Sequence, residues 1–128
     1  MQKILVTGGL GFIGSNLIEN LLKQNFYVIN IDKVSYSSNF LNTKNYSKNK
    51  NYKFIKCDLR NTKKLKKIFN KFKPNCIFNL AAETHVDRSI DSPKNFIDSN
   101  VFGTFKLLEA FKKYSKKYKK KKLIHIST

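Results

Sequence analysis

Arginine is nearly missing from this chain. Of its 26 basic residues only Arg60 and Arg88 are arginine, so the side chain best suited to bidentate contact with bases and phosphates is scarce. Acidic residues number eight, which leaves a net charge of +18 and invites a nucleic-acid reading. The lysines weaken that reading. They are spread over every predicted helix and loop beside abundant asparagine, as on solvated faces rather than in one groove. Lys112 to Lys122 is the exception, because lysines there interleave with Tyr114 and Tyr118. It reads either as a solvated helix end with cations at its negative pole, or as a patch for RNA or an acidic surface. No nucleic-acid partner is expected. The two cysteines, Cys57 and Cys76, lack metal-ligand spacing and read as reduced thiols in or beside strands, so no metal is expected. No apolar run approaches a membrane span, and the N-terminus has none of the features of a secretory leader. A cytoplasmic protein without membrane contact is expected. There is no internal repeat and no second-domain linker, and 128 residues with 41% apolar content suit one domain over residues 1–128.

What is present is an alternation of strands and helices. Lys3–Thr7 reads as the first strand. The helix after it places Ile13, Leu17, Ile18, Leu21 and Leu22 on one stripe and stops near Asn25. Tyr27–Asp32 is a dense apolar run, as in a strand buried on both faces. Ser35 to Asn51 is polar and reads as a long loop. Lys53–Cys57 predicts the third strand, ending at Asp58-Leu59. Asn61 is a suitable cap for a helix carrying Leu65, Ile68, Phe69 and Phe72, which Pro74 ends. Cys76–Leu80 follows as the fourth strand, then a loop from Ala81 to Asp91. Ser92-Pro93 makes a good helix start, and that helix is expected to turn Phe96, Ile97, Val101, Leu107, Leu108 and Phe111 inward. Leu123–Ser127 predicts the fifth strand. Right-handed crossovers then give an α/β, Rossmann-like doubly wound parallel sheet of order 3-2-1-4-5.

The chemistry gathers where such a sheet binds ligands, beyond the carboxyl ends of the strands. Thr7-Gly8-Gly9-Leu10-Gly11-Phe12-Ile13-Gly14 directly follows the apolar run Ile4-Leu5-Val6. A strand emptying into a glycine turn that opens a helix is the arrangement that holds a dinucleotide diphosphate, although the same turn can be merely structural. Gly8 permits the tight turn, Gly11 lets the backbone approach the phosphates, and Gly14 lets the helix pack closely on the sheet. Asp32 ends the second strand 18 residues past Gly14, where a carboxylate accepts from adenosine ribose hydroxyls and repels a 2′-phosphate. NAD is therefore expected over NADP, with Lys33 softening the preference. Asp58, at the end of the third strand, reads as a partner for the adenine amino group or as a helix cap. The segment Leu80-Ala81-Ala82-Glu83-Thr84-His85-Val86-Asp87-Arg88-Ser89 sets small residues at a strand end before a dense polar cluster. Taken singly, His85 reads as a structural histidine and Asp87–Arg88 as a local ion pair.

Together these residues carry a resemblance. The whole chain resembles the N-terminal part of the dTDP-glucose 4,6-dehydratases, extended short-chain dehydrogenase/reductases of nucleotide-sugar metabolism. The resemblance rests on Lys3 through Gly9 with Gly11-Phe12-Ile13-Gly14, on Asp32-Lys33, and on Ala81 through Ile90. It continues through Asn100-Val101-Phe102-Gly103-Thr104 to His125-Ile126-Ser127-Thr128. The glycine motif is shared with relatives such as 4-epimerases, whereas the Ala-Ala-Glu-Thr-His-Val-Asp-Arg-Ser run is narrower. The resemblance implies NAD contacts at Phe12 and Ile13, at Asp32, Lys33, Val34 and Ser35, at Asp58 and Leu59, and at Leu80, Ala81, Ala82, Glu83 and Thr84. Ser99 stands where the family usually has threonine, and its hydroxyl could make the same contact. Ser38 stands where the family commonly has glycine. Thr84 and Thr128 are implied to touch the sugar nucleotide, and Thr128 to polarise the hexose 4-hydroxyl as the catalytic residue of this stretch.

The family's reaction is an internal redox cycle on dTDP-glucose: NAD takes hydride from hexose C4, water leaves across C5–C6, and the hydride returns to C6. A Tyr with a nearby Lys, and an Asp-Glu pair immediately after the threonine matching Thr128, supply the acid–base chemistry in the family. This chain ends at Thr128. It is therefore expected to be a truncated nucleotide-binding portion, catalytically silent alone, from an enzyme that is a homodimer built partly on the helix starting at Pro93. A related nucleotide-sugar epimerase or dehydratase, and a standalone NAD-binding module, are the alternatives.

Overall fold

A computed structural model describes residues 1–34, 39–81 and 93–126. Five parallel strands run β1 (Lys3–Thr7), β2 (Tyr27–Asp32), β3 (Tyr52–Lys56), β4 (Cys76–Asn79) and β5 (Lys122–His125). They form one sheet of order β3-β2-β1-β4-β5, as the alternation predicts. In register, Leu5 of β1 lies between Ile29 of β2 and Ile77 of β4. Side chains alternate across the sheet. Leu5, Ile29, Ile31 and Ile77 feed a core closed by Leu65 and Phe69 of α2 (Thr62–Phe72). Ile4, Val6 and Val28 feed the opposite core, closed by Ile18, Leu21 and Leu22 of α1 (Phe12–Lys23).

Helix ends follow local chemistry. Asn61 caps α2, its side chain accepting from the Lys64 amide, and Lys73 ends it in a left-handed conformation before Pro74. After the second gap in the described residues come α3 (Pro93–Ile97), a π-helical turn over Asp98–Gly103 and α4 (Thr104–Lys117).

Several expectations need correction. β3 begins and ends one residue earlier than the pattern suggests, and β4 closes at Asn79 rather than Leu80. β5 starts at Lys122; Ser127 lies outside the described residues, as does the Ser92 cap. The polar stretch after β2 is not only a loop: it holds a 3-10 turn over Phe40–Thr43 and sends Tyr46 into the α1-side core, where α1, β2 and β3 leave room for a ring. Of the residues expected to turn inward from Pro93 onward, only Leu107 is buried, with Phe111 packed against the core, while Ile97, Val101 and Leu108 are 49%, 57% and 46% exposed. The π turn is one physical reason, because its wider winding shifts the phase of a stripe read at 3.6 residues per turn. Tyr114, read as part of a basic surface run, is instead core: its hydroxyl donates to the Pro74 carbonyl at 2.6 Å. Lysines cover the rings around it, Lys121 over Tyr114 and Lys73 over Tyr118.

Candidate functional site

The carboxyl ends of β1, β2 and β4 meet at the glycine turn. Gly8 has φ +71°, and a Cβ there would lie 2.8 Å from the Ala81 nitrogen and Cα. The turn therefore lies directly against the residues that follow β4, and only glycine fits it. Gly14 does its work on the turn itself rather than on the sheet, since its Cβ would meet the Gly8 carbonyl oxygen at 2.4 Å and the Gly9 Cα at 2.8 Å. Gly11 differs. Its backbone is extended, and a Cβ would meet only the Gly8 oxygen, at 3.4 Å. The rim of the turn is thus open where a diphosphate would approach. Gly11 also starts α1 with no side-chain cap among the described residues, which leaves the first-turn amides to a ligand or solvent. Phe12 and Ile13 are 77% and 65% exposed, side chains that a bound molecule could cover.

Asp32 is buried at the end of β2, and its two oxygens accept from the Leu10 amide at 3.1 Å and the Val34 amide at 2.7 Å. These amides fix the carboxylate beside the turn, where the ribose reading needs an acceptor. The second bond holds Val34 at φ +63°, a left-handed conformation costly for a β-branched residue. Lys33 donates from Nζ to the Ser99 hydroxyl, so the structure brings together two residues that sequence singles out separately. Asp58 is gripped by Arg60: one oxygen accepts from the Arg60 amide at 2.9 Å, the other from Nη2 at 2.8 Å. Arg60 is the first cause holding the Asp58 carboxyl below its usual value, with the Lys33 charge adding to it. Arg60 reaches on to Asp98 at 3.4 Å, which ties the β3 end to the π turn. Leu59 is buried in the core, and Leu80 and Ala81 border the turn through the Thr7 hydroxyl, which accepts from both amides.

Ser35, Ala82, Glu83, Thr84 and Thr128 lie outside the described residues, as do Ser38, His85, Asp87 and Arg88. Among the described residues no group of His, Cys, Asp and Glu could hold a metal, and no helix is long and apolar enough to cross a membrane.

Sequence reasoning missed the polar groups beneath the site. The Thr7 hydroxyl donates to Asn79 Oδ1 at 2.5 Å, and Asn79 Nδ2 meets His125 Nδ1 at 2.9 Å, a chain joining β1, β4 and β5. Asn30 Oδ1 accepts from the Gly9 amide at 3.0 Å. The signal was available: Asn30 and Asn79 are amides inside otherwise apolar strands, and buried amides are almost always hydrogen-bonded.

The profile of the GDP-mannose 4,6 dehydratase family matches residues 5–128. The chain belongs to this family. Within it, the chain is 39% identical over 132 residues to a probable dTDP-glucose 4,6-dehydratase of Sinorhizobium fredii, covering 99% of this chain and 38% of that protein. Among solved structures it is similar to dTDP-glucose 4,6-dehydratase of Bacillus anthracis in complex with NAD, at 38% identity and TM-score 0.82, covering 100% of this chain and 38% of the other. It is also similar to UDP-glucose 4-epimerase of Thermotoga maritima with UDP-glucose, at 35% identity and TM-score 0.83. The dehydratase resemblance read from the glycine turn and the Ala81–Ile90 run is thus borne out by relatives spanning the chain. The chain spans 38% of the length of the first of these relatives.

Proposed function

We propose that this chain is the NAD-binding portion of a dTDP-glucose 4,6-dehydratase, which converts dTDP-glucose to the 4-keto-6-deoxy sugar and water. One observation carries the reading: an open glycine turn at the start of α1, with the buried Asp32 carboxylate fixed beside it by the Leu10 amide. The turn's backbone amides would hold the diphosphate, and Asp32 would accept from the adenosine ribose and disfavour a 2′-phosphate. Asp58, held by Arg60, is proposed to meet the adenine amino group, with Leu59 contributing to the same contact. Lys33, Val34 and Ser99 are proposed to line the same site, with Ser35, Ala82, Glu83 and Thr84 completing it. Bound NAD would supply the hydride acceptor and donor for the hexose. Thr84 and Thr128 are proposed to bind the sugar nucleotide, Thr128 orienting its 4-hydroxyl.

Turnover needs acid–base groups beyond Thr128, so this chain by itself is proposed to be inactive. The exposed stripe of Ile97, Val101, Phe105 and Leu108 is proposed to pack on a second copy, in keeping with the homodimer that the resemblance implies. The epimerase alternative is favoured by the shared glycine motif and by the similarity to the Thermotoga protein in sequence and fold. The coding sequence past Thr128 tests the assignment: an Asp-Glu pair next and a Tyr-x-x-x-Lys segment further on support it, and a stop codon or other residues refute it. An assay of the encoded enzyme on dTDP-glucose and UDP-glucose separates dehydratase from epimerase.

A further inference from the structure

Asn30 sits in the middle of β2, fully buried between Ile29 and Ile31. An amide there costs stability unless both of its ends are hydrogen-bonded. Both are. Oδ1 accepts from the Gly9 amide at 3.0 Å, and Nδ2 donates to the Tyr52 hydroxyl at 3.0 Å. The fit to Gly9 is close, since a Cβ on that glycine would fall 2.1 Å from Asn30 Oδ1 and 2.4 Å from its Cγ. The carboxamide therefore fills the space beneath the turn that any larger residue at position 9 would need. Tyr52 is held in its turn. Its ring packs edge-on against Tyr46 with centroids 4.9 Å apart, and the Tyr46 hydroxyl donates to the Ser15 carbonyl of α1 at 3.3 Å. Burial raises the pKa of both phenols, so both keep their protons at neutral pH.

These contacts close a circuit. It leaves the turn at Gly9, passes through Asn30, Tyr52 and Tyr46, and returns to Ser15, near the start of the helix that the turn opens. We propose that Asn30 is the positioning residue of the diphosphate-binding turn. Its carboxamide anchors Gly9 from below, so that the amides from Gly9 onward keep their aim at the anion, and Tyr52 fixes the orientation of the carboxamide. An apolar residue would fill the same core volume, but it would leave the Gly9 amide without a partner and free the turn to rotate. The proposal rests on the NAD reading above.

The test is Asn30→Leu and Tyr52→Phe in the intact chain, titrated with NAD, ADP and adenosine, together with hydrogen exchange at the Gly9 amide by NMR. Asn30→Leu is expected to bind NAD and ADP roughly tenfold more weakly, the loss of about one hydrogen bond's contribution, with adenosine affinity within twofold of the parent. The Gly9 amide should exchange faster and its resonance should move. Tyr52→Phe, a milder change that keeps the ring, should move the same readouts a few-fold in the same direction, and it carries the test if Asn30→Leu does not fold. Unchanged NAD and ADP affinities, or a parallel loss for adenosine, would overturn the assignment. If the parent chain itself binds no NAD, the NAD reading fails, while protection of the Gly9 amide still decides whether Asn30 holds the turn.

Discussion

Two substitutions three residues apart in the glycine turn should separate binding from folding. At Gly11 the backbone is extended at φ −74° and ψ 173°, and an added Cβ meets only the Gly8 oxygen at 3.4 Å. Gly11→Ala therefore adds no strain, and stability should change by under about 0.5 kcal/mol. The new methyl would nonetheless stand on the open rim where the diphosphate approaches. At Gly8 the position is reversed. A φ of +71° costs an alanine roughly 1–2 kcal/mol. The overlap with the Leu80–Ala81 backbone, at 2.8–2.9 Å, adds about 1–3 kcal/mol as the strand end shifts. The sum, about 2–5 kcal/mol, is a large part of the roughly 5–15 kcal/mol that holds an ordinary domain together. Urea unfolding read with NAD calorimetry on the same samples makes the comparison. Gly11→Ala should keep its midpoint and lose at least about tenfold in NAD affinity, whereas Gly8→Ala should lower the midpoint by roughly 1–2 M. A Gly11→Ala chain binding NAD like the parent, or a Gly8→Ala chain unfolding with it, would refute the assigned roles.

Other outcomes follow from the same contacts. Arg60→Ala should cost up to about 1 kcal/mol at neutral pH, since the Asp58–Arg60 pair is partly exposed and screened. Because Arg60 lowers the folded-state pKa of Asp58, that difference should be full above the unfolded value of about 3.9 and vanish as pH falls through the lowered one. A gap unchanged at pH 2 would contradict the cause. Tyr114→Phe removes a buried bond to the Pro74 carbonyl and should cost about 1–2 kcal/mol, seen as a thermal midpoint roughly 4–7 °C lower. Burial pushes the Tyr114 phenol up to about 12, so that cost should not vary between pH 6 and about 9. Phe105→Glu puts a charge into the exposed stripe of the last helix and should shift sedimentation from dimer to monomer; a parent that sediments as a monomer would show that the stripe is not covered by a second copy.

Much of this architecture was legible because strand and helix periods differ and because the crossover rule leaves few sheet orders. The Ile4-Leu5-Val6 run, the glycine turn and Asp32 define β1, the start of α1 and the end of β2 within a residue. The last helix was misread for two reasons. Apolar periodicity marks a face that something covers without saying whether the cover is this chain's core or another surface, and the π turn at Asp98–Gly103 shifts the stripe's phase. Tyr114 was obscured by its neighbours: lysine stems and ammonium groups lie over a ring that is itself buried. Asn30 was obscured by an apolar strand, although a carboxamide between two isoleucines is a stronger sign of a buried contact than any one glycine. The grip of Arg60 on Asp58 could have been suspected from the Asp-x-Arg spacing. The bond from Lys33 to Ser99 could not, since 66 positions separate them in the sequence.

The most direct measurement is a calorimetric titration of the folded chain with NAD and, in parallel, with NADP. The account predicts saturable heat with NAD at a micromolar dissociation constant or tighter, and at least about tenfold weaker binding of NADP, since its extra phosphate meets the Asp32 carboxylate. No heat with NAD from folded material, or equal affinity for the two dinucleotides, would contradict it.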